Sequence, residues 1–184
     1  MRAALVLGGG STLWADVEQA LSLGEFQGVV AVNDAAVVWG GPLDAVASYH
    51  SEKWPLWLER RRRRGYAPPA RVFGHEGFAH RQGFRPDIPV EWVNPLFPRQ
   101  KDTGSSGCFA AKVALVDLDF DRIVLCGVPM NAGPHFWDHS AWTACDAHRQ
   151  GWAQIDPSFT RRMRSCSGWT RDRLGAPTAA WLCN

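Results

Sequence analysis

Short apolar runs recur along the chain, with glycine, proline or polar residues between them. Several of these runs are continuous rather than alternating, which is typical of strands buried on both faces of a parallel sheet. Six runs predict strands: Ala3–Leu7, Gly28–Val32, Ala45–Tyr49, Arg71–Phe73, Val90–Val93 and Arg122–Cys126.

Segments with helical spacing of apolar residues lie between the predicted strands. Ser11–Leu23 predicts a first helix, which Gly24 can end. Glu52–Arg64 and Ser106–Leu118 predict two more helices, and the tail after position 140 predicts shorter helical pieces. Because strands alternate with helices, we expect an α/β fold. It would be a single Rossmann-like domain over residues 1–184, with a mainly parallel sheet of about six strands.

Composition narrows the class of protein. The net charge of +2 gives no strong overall attraction to nucleic acid or membrane. The five cysteines include no CxxC pair, which predicts a reduced, cytoplasmic protein without a structural zinc site. No apolar run approaches the roughly 20 residues of a membrane-spanning helix. We therefore expect no membrane span.

Polar or glycine residues follow each predicted strand. Ligands of open α/β sheets bind beyond the carboxyl ends of the strands, so these residues would converge at one edge. The clearest of them are Gly8, Gly9, Gly10, Ser11, Asn33, Asp34, His50, Glu52, Lys53, His75, Asn94 and Gly127. This convergence predicts a ligand site more strongly than any single motif does.

The turn Gly8–Ser11 has two explanations. It lacks both the GxGxxG and the GK[ST] patterns, and it could be a strand-to-helix turn that needs small residues. Alternatively, its glycines let the backbone approach a phosphate, with Ser11 capping the following helix and offering its hydroxyl.

A second turn of the same kind lies at "DTGSSGCFAAKVAL", positions 102 to 115. Ser105 and Ser106 open an apolar helix, either as an ordinary serine cap or as a second anion site. Two such helix starts in one sheet protein favour a nucleotide or a phosphorylated ligand.

Three ordered motifs carry a family resemblance: "VLGGGSTL", "VVAVNDAA" and "TGSSGCFAAKVALVDLDFDRIVLCGVPM". They resemble bacterial sialyltransferases with one Rossmann-like domain, and they are similar to the related 6-hydroxymethylpterin diphosphokinase-like proteins. The resemblance implies that Gly8–Ser11 cradle a nucleotide and that Asn33 binds near the transferred group. It also implies nucleotide contacts from Ser105, Ser106, Gly107, Gly127, Pro129 and Met130.

The chain departs from the sialyltransferase pattern at two positions. Thr12 stands where the glycine loop of the family has proline, and Pro129 stands where the family has aspartate. The donor nucleoside therefore stays open. The pterin-kinase side of the resemblance implies an alternative reaction, pyrophosphoryl transfer with Mg²⁺, for which Asp34, Asp138 and Glu52 are candidate carboxylates.

Histidines supply the candidate bases. If "PHFWDHSAW" is helical, His135 and His139 share a face, and either could act as general base near neutral pH. The resemblance implies such a base downstream of the last-strand motif. A polar helix face or a metal site are the alternatives, and the spacing fixes no set of metal ligands. His50 is a third candidate, since it directly follows a predicted strand.

The arginine run Arg60, Arg61, Arg62, Arg63 and Arg64 is the densest charge in the sequence. Such a run is typical of a solvated helix end, and it could also bind nucleic acid. The leading hypothesis is a nucleotide- or nucleotide-sugar-binding transferase of glycosyltransferase-like mechanism. A non-catalytic, phage-type accessory protein that binds nucleic acid or a protein partner through the arginines is the alternative from another class.

Overall fold

A parallel sheet of seven strands forms the centre of the molecule, whose computed structural model describes residues 1–79 and 88–183. The strands are β1 (Ala3–Leu7), β2 (Gly28–Val32), β3 (Ala45–Ser48), β4 (Arg71–His75), β5 (Glu91–Val93), β6 (Arg122–Cys126), β7 (Gly133–His135), β8 (Asp138–Trp142) and β9 (Met163–Ser165). Across the sheet the order is β5-β4-β3-β2-β1-β6-β9, and every neighbouring pair is parallel. Strands β7 and β8 form a separate antiparallel hairpin.

Helices connect the strands and cover the sheet. They are α1 (Leu13–Leu23), α2 (Ala35–Val38), α3 (Trp54–Arg63), α4 (Glu76–Ala79), α5 (Ser106–Lys112), α6 (Cys145–Ala153), α7 (Pro157–Thr160), α8 (Gly168–Leu174) and α9 (Ala179–Cys183). A short 3₁₀ turn, Ser51–Lys53, precedes α3, and a π-helical stretch, Val113–Asp117, continues α5. No helix in the described part of the chain is long and apolar enough to cross a membrane.

Apolar side chains on both faces of β1 explain the layered fold. Ala4 and Val6 belong to the core that includes α5, whereas Leu5 and Leu7 belong to the core that includes α1. Each fully buried leucine, valine or phenylalanine contributes about 1.5–3 kcal/mol relative to an exposed one. A strand buried on both faces therefore favours helices on both sides of the sheet, as in a Rossmann-like sandwich.

The predicted α/β fold is confirmed, with differences at particular elements. All six predicted strands are present, but β3 ends at Ser48 and β5 begins at Glu91. Strand β9 and the β7–β8 hairpin were not predicted, so the sheet has one strand more than expected.

The predicted helices are also present, with shifted ends. The first begins at Leu13 rather than Ser11, so Thr12, and not Ser11, is its capping residue. The expectation that Ser11 caps this helix is therefore wrong.

The position of β1 fixes where a ligand can enter. The chain builds outward from β1 through β2 to β5 and then returns to place β6 on the other side of β1. The loops that follow β1 and β6 consequently lead to opposite sides of the sheet. Such a topological switch point leaves a crevice at the carboxyl ends of the strands, where α/β proteins bind their ligands.

Candidate functional site

A cleft of about 810 Å³ lies at this switch point. Its walls come from the loops after β1, β2, β3 and β6, from the start of α5 and from the β7–β8 hairpin. The predicted site residues that line it are Gly8, Gly9, Gly10, Ser11, Asn33, Asp34, His50, Ser105, Ser106, Gly107, Gly127, Pro129, Met130 and His135. The predicted convergence at one edge of the sheet is thus present for these residues, whereas Glu52, His75 and Asn94, which were also expected there, do not line the cleft.

The glycines of the first loop are needed because other backbone packs against them. A Cβ on Gly8 would lie 2.4 Å from the carbonyl oxygen of Gly127, and one on Gly10 would lie 2.6 Å from Cδ of Pro129. The loop amides also point into the protein. Gly8 N–H donates to Cys126 (2.7 Å), and Gly10 N–H donates to Gly127 (2.8 Å). These two amides are therefore not available to cradle a phosphate, and the loop presents the exposed Ser11 instead.

A buried carboxylate that the sequence analysis missed joins the loops around the cleft. Asp16 of α1 is only 4% exposed. Its Oδ2 accepts hydrogen bonds from Gly127 N–H (2.8 Å), Thr12 Oγ1 (2.9 Å) and Ser167 Oγ (2.6 Å). The spacing of Thr12 and Asp16, one helical turn apart, was the available signal. Asp16 therefore ties the loops after β1, β6 and β9 to one another.

Asn33 is held by a short hydrogen-bond chain. Its Oδ1 accepts from the hydroxyl of Ser48 (2.6 Å), and the Ser48 oxygen accepts from His50 N–H (2.8 Å). With its oxygen engaged, the amide NH₂ of Asn33 has no protein acceptor among the described residues. This NH₂ group lies beside the cleft and can donate hydrogen bonds to oxygen atoms of a ligand.

The second predicted turn faces the first across the cleft. Helix α5 begins at Ser106, whose Oγ accepts from Tyr49 N–H (3.3 Å) and so keeps its own proton to donate. A Cβ on Gly107 would lie 2.8 Å from Cγ1 of Val128, so this glycine lets α5 approach the loop after β6. Ser105, Ser106 and the loop after β6 therefore lie together in the lining of the cleft.

The β7–β8 hairpin closes the cleft with aromatic rings. The imidazole of His135 stacks on Trp137 with centroids 4.5 Å apart and planes inclined by 27°. Trp142 stacks on His148 at 5.8 Å, with planes inclined by only 10°. The sequence analysis did not predict three of these rings as site residues, namely Trp137, Trp142 and His148. The density of aromatic residues between Phe136 and Trp142 was the available signal.

The expectation that His135 and His139 share a helix face is wrong. They lie on different strands of the hairpin, and His139 is exposed and does not line the cleft. The hairpin is favoured because it pairs with the glycine loop: Ser11 N–H donates to Pro134 (3.2 Å), and Phe136 N–H donates to Gly9 (3.0 Å). These long-range bonds outweigh any local helical preference.

His135 is the base candidate that the geometry favours over His50. Burial lowers the pKa of His135 below its ordinary value of 6.5, while the negative charges of Asp138 and Asp34 oppose that effect. Its imidazole is therefore neutral at pH 7 and able to take up a proton. The side chain of His50 is 54% exposed and lies 3.5 Å from the carboxylate of Glu52.

The arginine run divides into separate roles. Arg61 is buried, and its guanidinium donates to the carbonyl oxygens of Ala67 (2.6 Å), Ala36 (2.9 Å) and Gly41 (2.8 Å). Arg62 and Arg63 instead hold the exposed carboxylate of Glu59. Only part of the run therefore behaves as the solvated helix end that the sequence suggested.

No protein-family model, curated protein or solved structure matches the chain. The resemblance to the sialyltransferases and to the pterin diphosphokinase-like proteins consequently stays a prediction from three short motifs.

Proposed function

We propose that this protein is a nucleotide-dependent group transferase, which binds a nucleotide or nucleotide-sugar donor in the cleft and uses His135 as general base. One observation carries the proposal: a single cleft at the topological switch point holds serine hydroxyls, an amide donor, an aromatic wall and a partly buried histidine together. Each of these features suits a different part of an activated nucleotide.

The walls of the cleft match the parts of a nucleotide. The ring of Trp142 offers a face on which the base of the donor can stack. Ser11, Ser105 and Ser106 offer hydroxyl groups to phosphate or ribose oxygens, and Lys53 adds a positive charge to the lining of the cleft. A volume of about 810 Å³ has room for such a ligand.

Backbone conformation supports a ligand site at the same place. Five non-glycine residues in the described part of the chain have a positive φ, and three of them line the cleft: Asn33 (50°), Ser105 (88°) and Met130 (51°). Such conformations cost of order 1–3 kcal/mol each and concentrate at binding and active sites, where the surrounding structure holds them.

The proposed step is a displacement at the activated carbon of the donor. A ring nitrogen of His135 takes the proton of the acceptor hydroxyl as its oxygen forms a bond to that carbon. The bond from the carbon to the phosphate oxygen breaks, and the leaving nucleotide keeps the electron pair. Positioning of the two substrates and hydrogen bonds to the developing phosphate charge then lower the barrier.

The site residues do not provide a ready magnesium centre. Among the described residues no group of three or more histidine, cysteine, aspartate or glutamate side chains could hold a metal ion. Of the candidate carboxylates, Asp138 accepts hydrogen bonds from Ser140, and Glu52 lies beside His50. Only Asp34 lines the cleft. We therefore derive no step through Mg²⁺.

Thermal unfolding against a panel of nucleotides tests the proposal. The panel holds CMP, CDP, UDP, GDP, ADP, ATP and CMP- and UDP-sugars, each with and without Mg²⁺. A ligand at about 100 times its dissociation constant adds roughly 2.7 kcal/mol, which raises the melting temperature of a chain of this size by about 5–11 °C.

Two variants localise the effect. Ser11→Trp fills the cleft and should abolish the shift, whereas Ser22→Trp, on the exposed side of the following helix α1, should retain it. His135→Gln should keep the shift but lose turnover with the matching donor. If no nucleotide shifts the melting temperature, or if Ser11→Trp leaves the shift intact, the proposal is wrong. A shift that requires Mg²⁺ would instead favour pyrophosphoryl transfer.

A further inference from the structure

A second groove, of about 420 Å³, adjoins the cleft. It is lined by Val37, Val38, Phe136 and the side chains of Arg60, Arg63 and Arg64, and it shares Asp34 and Trp137 with the cleft. The two cavities therefore lie side by side and meet at Trp137, the ring that stacks on His135. The proposed transferase function uses the cleft and leaves this groove without a role.

The arginines of the groove lie together because of helical spacing. Arg63 and Arg64 follow Arg60 by three and four positions, so the three side chains lie on one face at the end of α3. Arg61 points the other way and fixes this helix end by donating to main-chain oxygens of Ala36, Gly41 and Ala67. The positive face is thus held in place by the fold.

Charge remains in excess on this face. Arg60 lies 3.9 Å from Asp34, a long contact between partly exposed groups. Arg63 pairs with Glu59, which Arg62 also binds. The side chain of Arg64 has no ion-pair or hydrogen-bond partner in the described ranges. Two carboxylates therefore face the three guanidinium groups of the groove, and one of these carboxylates is shared with Arg62, which leaves the groove able to bind an anion.

The wall shared by the two cavities is aromatic. Trp137 is 43% exposed, although large apolar rings are usually buried, and it stacks on His135. A cationic track beside an exposed aromatic ring is the combination that binds single-stranded nucleic acid, with arginines on phosphates and bases on rings. An acidic peptide would use the arginines but would gain nothing from the ring.

We infer that the groove binds a single strand of nucleic acid and guides one of its nucleotides, the acceptor, into the cleft beside His135. This inference rests on the proposed function, because it names the acceptor class of that reaction. The phosphates of the strand contact Arg60 and Arg64, and the base that follows stacks on Trp137. The charge on the groove is local, so the small net charge of the chain does not oppose it.

The test is fluorescence anisotropy with labelled single-stranded DNA and RNA of about 12 nucleotides, over a range of about 50–200 mM salt. The variant Arg60→Ala/Arg64→Ala removes two phosphate contacts. Each contact contributes about 0.7 to the salt slope, so the slope should fall by about 1.4 and the affinity by about 25-fold near 0.1 M salt. Comparison of DNA with RNA identifies the sugar that the groove accepts.

A charge-matched control separates the groove from general attraction. Arg62→Ala/Arg161→Ala also removes two exposed arginines, but neither of them lines the groove or the cleft. It should change the affinity less than threefold, within the range of screened surface charges. Polyglutamate should not compete with the strand.

Several results would overturn the inference. These are no strand binding by the wild-type protein at low salt, an equal loss in the control variant, or competition by polyglutamate at equal charge concentration. The inference would also be wrong if mononucleotides raised the melting temperature of Arg60→Ala/Arg64→Ala less than that of the wild type. The arginines would then bind phosphates of the donor. The nucleotide panel is independent of these measurements. Strand binding without any nucleotide shift would refute the transferase and retain the groove as a binding site.

Discussion

Arg61 lies among main-chain oxygens, although it is the second residue of an arginine run that looks entirely solvent-exposed in the sequence. Only a planar guanidinium can donate in several fixed directions at once, and a lysine ammonium cannot replace it there. We expect Arg61→Lys to lower the free energy of unfolding by about 2–4 kcal/mol, because buried carbonyl groups lose charged donors. Urea denaturation measures this loss. The neighbouring change Arg62→Lys, on an exposed side chain, should stay within about 0.5 kcal/mol. Equal losses would contradict the role assigned to Arg61.

His135 gives a prediction that depends on pH. Burial lowers its pKa below 6.5, so the folded state binds a proton less readily than the unfolded chain. Its contribution to stability is therefore fully present above pH 6.5 and decreases as the pH falls below that value. An NMR titration of the imidazole should give a midpoint below 6.5. Asp138→Asn should move the midpoint lower still, because the charge of Asp138 favours the protonated ring. A midpoint that does not move in this variant would show that the two groups are not coupled.

In the loop Gly8–Ser11, the packing of neighbouring elements requires a residue without a side chain at Gly8. The φ angle of Gly8 is not in the left-handed region, so this glycine is required for space and not for conformation. We expect Gly8→Ala to cost about 1–3 kcal/mol, because the added methyl group meets the backbone of Gly127. Gly133→Ala, at a position with nothing within 4 Å, should stay within about 0.5 kcal/mol. Chemical denaturation of both variants tests the comparison, and similar losses would contradict it.

The elements that sequence patterns predicted are those whose signal is local. Strands such as Val124 and its neighbours in β6 are continuous apolar runs, and they were found almost to the residue. The β7–β8 hairpin was missed because it is held by hydrogen bonds to Gly9 and Ser11, more than a hundred positions earlier in the chain. Strand β9 has only three residues, of which Arg164 interrupts any apolar pattern.

Predictions for the site differ in the same way. The polar residues directly after β1, β2, β3 and β6 came together in the cleft, because parallel strands end at one edge. Trp142 and His148 follow no strand of the main sheet, so this rule could not find them. Asp16 was missed because its position on α1 falls among apolar residues that face the core.

Asp16 acts at the scale of the whole molecule, because its three donors come from the loops after β1, β6 and β9, which lie far apart in the sequence. We expect Asp16→Ala to lower the free energy of unfolding by about 1–3 kcal/mol, since the buried N–H of Gly127 loses its acceptor. Asp16→Asn should recover part of this loss, because a neutral oxygen still accepts but more weakly. Glu18→Ala, an exposed carboxylate on the same helix, is the control. Thermal melting of the three variants distinguishes them, and a loss in Glu18→Ala as large as in Asp16→Ala would contradict this assignment.

The strand order of the sheet also has a consequence for how the protein is made. In the finished sheet β1 lies between β2 and β6, yet β6 begins only at Arg122, far along the chain. During synthesis, β1 to β5 can assemble first, and one side of β1 then presents unpaired backbone groups until the later strand emerges from the ribosome. Such an open apolar edge pairs readily with other chains. We therefore expect nascent chains that stop before β6 to self-associate unless a chaperone covers that edge, and folding to be slow because its central pairing joins distant segments.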